Sequence, residues 1–225
     1  VDGNASGADV TVAALAVDAT SVGAFDNRLE MAAGSLNARA RAGGVYAIDN
    51  DALTVSGASA TGAGIFLTAQ GPLSVTGNVT AGGSQVELAA LGSGSLFSLA
   101  AGAAVSGSSV MLTADRMDVT GSVQATPGVV QLNTATAGWG VDLGSMTDTA
   151  ANLLELSDAE LDRITAGAVL VISSRAELRI SAPISPSGVG TLSLLAEGAV
   201  VDGNASGADV TVAALAVDAT SVGAF

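Results

Sequence analysis

The sequence predicts an all-β chain wound as a right-handed parallel β-helix, a β-solenoid. About ten coils of roughly 20 residues are expected per 200-residue repeat, with one short helical excursion near residues 157–167. Three observations predict it. Short strand-like pieces recur after Gly with a single period: "GGVYAID", "GAGIFLTAQ", "GGSQVELAA", "GSSVMLTAD" and "PGVVQLNTA". Hydrophobic residues make up 49% of the chain but aromatics only 3%, so the apolar set is Ala, Val and Leu, suited to narrow uniform layers. Residues 1–25 recur letter for letter as residues 201–225. Residues 1–200 therefore form one full repeat, and residues 201–225 are expected to begin the next.

Taken in order, the first anchors, near Val10 and Leu29, are the least regular. Val45, Ile65, Val86, Val110 and Val130 then follow at steps of 20, 21, 24 and 20 residues. Leu53, Leu73 and Met117 mark a companion series with one turn less clear, and Leu170, Leu192 and Val210 continue the count. In "SQVEL", Val86 and Leu88 alternate with Gln85 and Glu87, which sends one set inward and the other outward. A lone turn cannot bury its apolar set, so the turns must stack, with parallel pairing between successive coils. Ten turns at roughly 4.8 Å make about 48 Å per repeat. A β-sandwich also has strands every 8–12 residues, but it does not explain one period near 20 within a tandem array. "SDAELDRITAG" breaks the rhythm: Ser157 and Glu160 form a capping-box pattern, Gly167 suits a helix end, and Leu156, Leu161 and Ile164 lie on helical spacing for docking. Acids concentrate in residues 145–167, which are expected to project from the coil.

The chain has 21 Asp and Glu against seven basic residues, all Arg, for a net charge of −14. The second copy contributes Asp202, Asp209 and Asp218 and no Arg, so one 200-residue unit has 18 acids, seven Arg and a net charge of −11. Such a surface repels phosphate backbones, which argues against a nucleic-acid partner, and repels neighbouring copies sideways. No apolar run reaches the roughly 20 residues of a membrane-spanning helix, so no membrane insertion of this segment is expected. Cys and His are both absent.

Without His, Cys or Lys, the choice of base and nucleophile shrinks to carboxylates, Ser and Tyr. Asp49 and Asp51 flank Asn50, and alternation would put both on one face, as for Ca²⁺ or an acid/base pair; a polar turn is the plainer reading. Asp115 and Asp118 around Arg116 read as a solvated corner with a weak ion pair. Residues 3–11 echo a calcium-binding nonapeptide but fail its spacing. Asn78-Val79-Thr80 and Asn4-Ala5-Ser6 match the short glycosylation pattern. Arg39 and Arg41 read as outward charges, and Tyr46 and Trp139 as corner or end packing rather than sugar platforms. No catalytic, cofactor-binding or metal-ligating residue is assigned.

"GAGIFLTAQGPLSVTGNVTAGGSQVELAA", "LELSDAELDRITAG", "AELRISAPIS" and "RLEMAAGSLNARARAGGVYAIDNDALTV" together resemble the repeats of filamentous haemagglutinin-like exoproteins, the giant two-partner-secretion adhesins of Gram-negative bacteria. The resemblance implies a parallel β-helix fibre exported unfolded and folding outside the cell. It points to a structural unit of an extracellular filament or adhesin stalk, in cell-surface adhesion, cell–cell contact or matrix formation. Its expected partners are neighbouring repeats stacked end to end, and a host or neighbouring-cell surface or glycan. The alternatives are a lateral glycan- or surface-binding module around residues 145–167 and, further off, a polysaccharide-acting enzyme.

Overall fold

The computed structural model describes residues 7–204 and 207–223. The chain is a β-solenoid of about ten turns, nearly all parallel strands, with one short helix among the described residues. Each regular turn supplies three short strands to three faces, as in Val79–Ala81, Gln85–Ala90 and Leu96–Leu99. Strands stack in parallel on their counterparts in the next turn, in register except for one shift between Leu36 and Asn37. On the second face the inward column runs Val22, Val45, Ile65, Val86, Val110, Val130, Leu170, Leu192, Leu215. The sequence anchors from Val45 to Leu192 are this column, but Leu215 closes it; Val210 instead bridges to Ile184 on the neighbouring face. On the third face the column is Leu53, Leu73, Phe97, Met117. Phe97 is the member that spacing left unclear, because the 24-residue step from Val86 to Val110 displaces it.

The core is one continuous rod of small and medium side chains. Val45, Ile65, Val86, Leu88, Val105, Leu112, Leu132, Leu170 and Leu192 are all fully buried. Strand alternation puts polar partners such as Glu87 and Gln131 outside. Corners are tight enough to require Gly at specific places: a Cβ at Gly62 would land on the Ala42 carbonyl of the adjacent coil, and one at Gly128 on that of Ser108.

The rhythm breaks once, where the whole stretch from Val130 to Leu170 makes a single ladder step. Gly140–Leu143 joins the third face, and the chain then turns back to lay Leu153–Leu156 on its earlier-coil side, against Arg116–Val119. It resumes at Ile164–Ala166, stacked on Ser122–Ala125. The third face is thereby split, its later strands forming a separate five-stranded sheet. The long step also shortens the rod. Val22 to Leu215 is eight ladder steps, or about 38 Å at roughly 4.8 Å each. On that spacing the axial rise per repeat is about 40 Å, short of the roughly 48 Å that ten unbroken turns would give.

Candidate functional site

The break in the third face gathers the polar features that set this solenoid apart from a plain rod. Asp158–Leu161 is the helix; Ser157 caps it, its Oγ accepting from Glu160 N at 3.3 Å, and Ser157 N donates to Glu160 Oε2 at 2.9 Å, the expected capping box. Leu156, Leu161 and Ile164 are all buried, but not as one helical stripe: only Leu161 lies on the helix, while Leu156 ends the strand before it and Ile164 opens the strand after it. Gly167 does not end the helix, because Ile164–Ala166 returns to the ladder first; it keeps a corner open where a Cβ would meet the Pro127 backbone. The second Glu160 oxygen accepts from Val119 N at 3.1 Å. That amide lies at the split between the two sheets, so one carboxylate caps both a helix and an interrupted strand edge.

The loop between Leu143 and Leu153 folds over Glu155, which is 5% exposed although it lies on the outward side of its strand. Its carboxylate accepts from Ser145 Oγ at 2.6 Å, Thr147 Oγ1 at 2.8 Å and Ala150 N at 2.8 Å. Burial pushes the Glu155 pKa up, but these hydrogen bonds outweigh it and hold the carboxyl below its ordinary range. Asp148, in the same loop, goes the other way: burial, with the charges of Glu160, Glu155 and Asp118 around it, raises it to about 6. Met146 at the tip is 93% exposed, so part of the segment does project. Beside the helix's C-terminal end a shallow groove is lined by Thr120, Ser122, Gln124, Asp162, Arg163 and Thr165. These groups offer hydrogen bonds and one cation, the chemistry a hydroxyl-rich chain would use.

Several sequence readings change in three dimensions. Asp49 and Asp51 do not share a face. Asp49 is the last inward residue of Val45–Asp49, fully buried, with one oxygen accepting from Ala33 N at 2.8 Å and the other from Asp51 N at 2.9 Å. Asp51 is exposed beyond the corner, so no paired carboxylates face a ligand there. Asp115 is not solvated either: it is fully buried and accepts from Gly94 N, Ala135 N, Thr136 N and Thr136 Oγ1. Asp118 is exposed, pointing away from it. In both cases a corner carries backbone N–H groups that no strand satisfies, and a carboxylate turned inward takes them.

Arg39 and Arg41 are outward, and both reach Asp18 on the neighbouring coil, Arg41 through Nε and Nη2 at 2.7 Å each. Trp139 is nearly buried at a corner. Tyr46 stacks on Phe66 with centroids 5.3 Å apart, and the 65% exposed Phe25 meets both rings edge-on. Asn78 is exposed and accepts from Ala104 N; Asn4-Ala5-Ser6 and the start of the nonapeptide-like stretch lie outside the described residues. Among the described residues no three acidic side chains are placed to hold a metal ion. Glu155, Asp148 and the groove carried no sequence signal beyond the local density of acids, since the groove's lining comes from several coils and the loop's fold over Glu155 is not periodic. Comparison of the chain with protein-family models, with curated proteins and with solved structures finds no match.

Proposed function

We propose that this chain is a structural unit of a long extracellular bacterial filament or adhesin stalk of the haemagglutinin type, without enzymatic activity of its own. The observation that supports it is the conjunction of a parallel ladder that runs unbroken along the second face with an identical segment present at both ends. A rod whose last coil has the sequence of its first is suited to repetition, and repetition of a solenoid makes length. Load along such a rod passes through stacked apolar layers and shared backbone hydrogen bonds. The acidic surface keeps neighbouring rods apart, and the rod would hold an adhesive tip away from the cell or link cells and matrix.

Electron microscopy of the intact native protein tests the reading. A thin fibre with an axial repeat of about 40 Å is expected from the ladder spacing; compact particles without an axial repeat would overturn it. The second reading, lateral recognition of a glycan, is favoured by the polar groove at Thr120, Gln124 and Arg163. A glycan array on the protein and its Arg163→Ala variant separates the two readings, because a scaffold loses nothing on that substitution. Release of product from acidic polysaccharides would refute the non-enzymatic part.

A further inference from the structure

Reading the chain as an array unit, on which this inference rests, leaves open how one unit joins the next. The segments 1–25 and 201–225 are identical, and the strand pairings of residues 10–22 and of residues 214–222 each run to one side only. In the second copy Ala214 pairs with Thr191, Asp218 with Leu195 and Val222 with Val200, all in the preceding coil. In the first copy Ala14 pairs with Ser35, Asp18 with Arg39 and Val22 with Val45, all in the following coil.

The backbone groups used by the two copies are complementary. In a parallel ladder successive residues turn their N–H and C=O alternately to the two neighbouring strands. Ala214 N donates to the Gly190 carbonyl at 3.1 Å, so Ala214, Ala216 and Asp218 face the preceding strand. The Ala19 carbonyl accepts from Arg41 N at 2.9 Å, so Leu15, Val17 and Ala19 face the following one. These are the even and odd halves of one strand. Val22 repeats the division: its N donates to Gly44 at 3.0 Å and its carbonyl accepts from Tyr46 N at 2.8 Å, whereas beside Val222 it is Gly223 N that donates to Val200, at 2.9 Å. Among the described residues, none of these backbone groups has to serve both sides.

Side chains agree. Leu215 stacks inward on Leu192, and Leu15 on Leu36; both supporting residues are fully buried, yet Leu215 is 40% exposed because a layer covers it from one side only. Outside, Asp18 is gripped by Arg41 and approached by Arg39, while Asp218 stands where the equivalent arginines of a following unit would arrive.

We propose that the two copies are the two sides of one junction coil, held at once by residues 191–195 of the preceding unit and residues 35–40 of its own, and that each unit is turned about the fibre axis relative to the last. The turn follows from the columns. Val22 opens the column that ends at Leu215, but its copy Val222 stands on Val200 in the column of Val141 and Leu178, the next face round. A following unit built on Val222 begins there, so the aromatic cluster at Phe25, Tyr46 and Phe66 and the loop around Met146 wind round the fibre instead of lining one side.

The chain contains no Cys, so disulfides report the junction cleanly. Ser193→Cys with Ala16→Cys spans the lower pairing, and Asp18→Cys with Arg39→Cys the upper, when all four are placed in every repeat of the native chain. Paired residues of adjacent parallel strands lie roughly 4.8 Å apart, within disulfide reach. Both bonds are expected in each junction, mapped by mass spectrometry, with essentially no free thiol; bonds on one side only, in a fibre that still shows its axial repeat, overturn the proposal. As a second measurement, gold on a Met146→Cys variant marks each unit's azimuth. Successive particles on different sides are expected, and particles along one side of the fibre overturn the turn. A native protein without an axial repeat defeats the array reading itself, which separates the two failures.

Discussion

Asp115 shows how much a single buried carboxylate carries in this fold. It has no cationic partner among the described residues and is held by four donors from two neighbouring coils. Replacing it with Ala leaves three backbone N–H groups unsatisfied, and a loss of about 3–5 kcal/mol in chemical unfolding is expected, with Asn retaining part of it. Glu160→Ala strips Ser157 N and Val119 N of their acceptor, and a cost of about 2 kcal/mol is expected by the same measurement. Asp148 works in the opposite direction. Its folded pKa of about 6 lies above its ordinary 3.8, so the native state holds the proton more tightly and stability falls as pH rises from about 4 to 6. Asp148→Asn is expected to raise the melting temperature at pH 7 and to flatten that part of the pH profile; no gain at pH 7 would show that the carboxyl is not under strain. Glu155, with its pKa lowered, contributes stability that is present above its unfolded value near 4.5 and is lost as pH falls through its folded value.

At the scale of one coil, the second and third strands of a turn are legible because alternation and Gly punctuation are local. What locality hides is the corner. Asp49 and Asp115 look like turn residues in sequence, and they are, but the turn needs them pointing inward to take amides contributed by other coils. Gly62 likewise looks like any loop glycine until the Ala42 carbonyl is placed beside it. Gly62→Ala is expected to destabilise by about 1–3 kcal/mol, through a shifted corner rather than lost core contact. Leu88→Ala, in the middle of the stack, removes a fully buried side chain held between Leu67 and Leu112, and about 2–5 kcal/mol is expected. Both are read in the same unfolding experiment. The long irregular turn was legible as a helix signal, Ser157 with Glu160, but not as a split sheet, because the strand Leu153–Leu156 reverses its stacking direction for one step.

On the scale of the whole molecule, the rod behaves as a one-dimensional stack. Backbone pairing joins each coil to its neighbours, and side chains that reach further are few, as Phe25 to Phe66 and Arg28 to Thr68, so stability is close to a sum of coil and interface contributions, and open ends are its weak points. Val12, Leu215 and Val222 are partly exposed at those ends, at 39%, 40% and 53%. Chains carrying two or three full repeats are expected to melt higher than the present chain, with the gain shrinking as repeats are added; equal melting points would show that the junction contributes nothing.

The sequence by itself determined the solenoid, its period, its inward columns on two faces and its small-residue core, because each depends on residues close together in the chain. It also located the helix and its cap. Tertiary structure alone decided which acids are buried, that Arg39 and Arg41 answer Asp18, that a polar groove forms beside the helix, and that identical end segments present opposite backbone groups. The physical reason is the same in each case: hydrogen-bond and charge partners in a stack lie one coil away, far apart in the chain, and only the register brings them together.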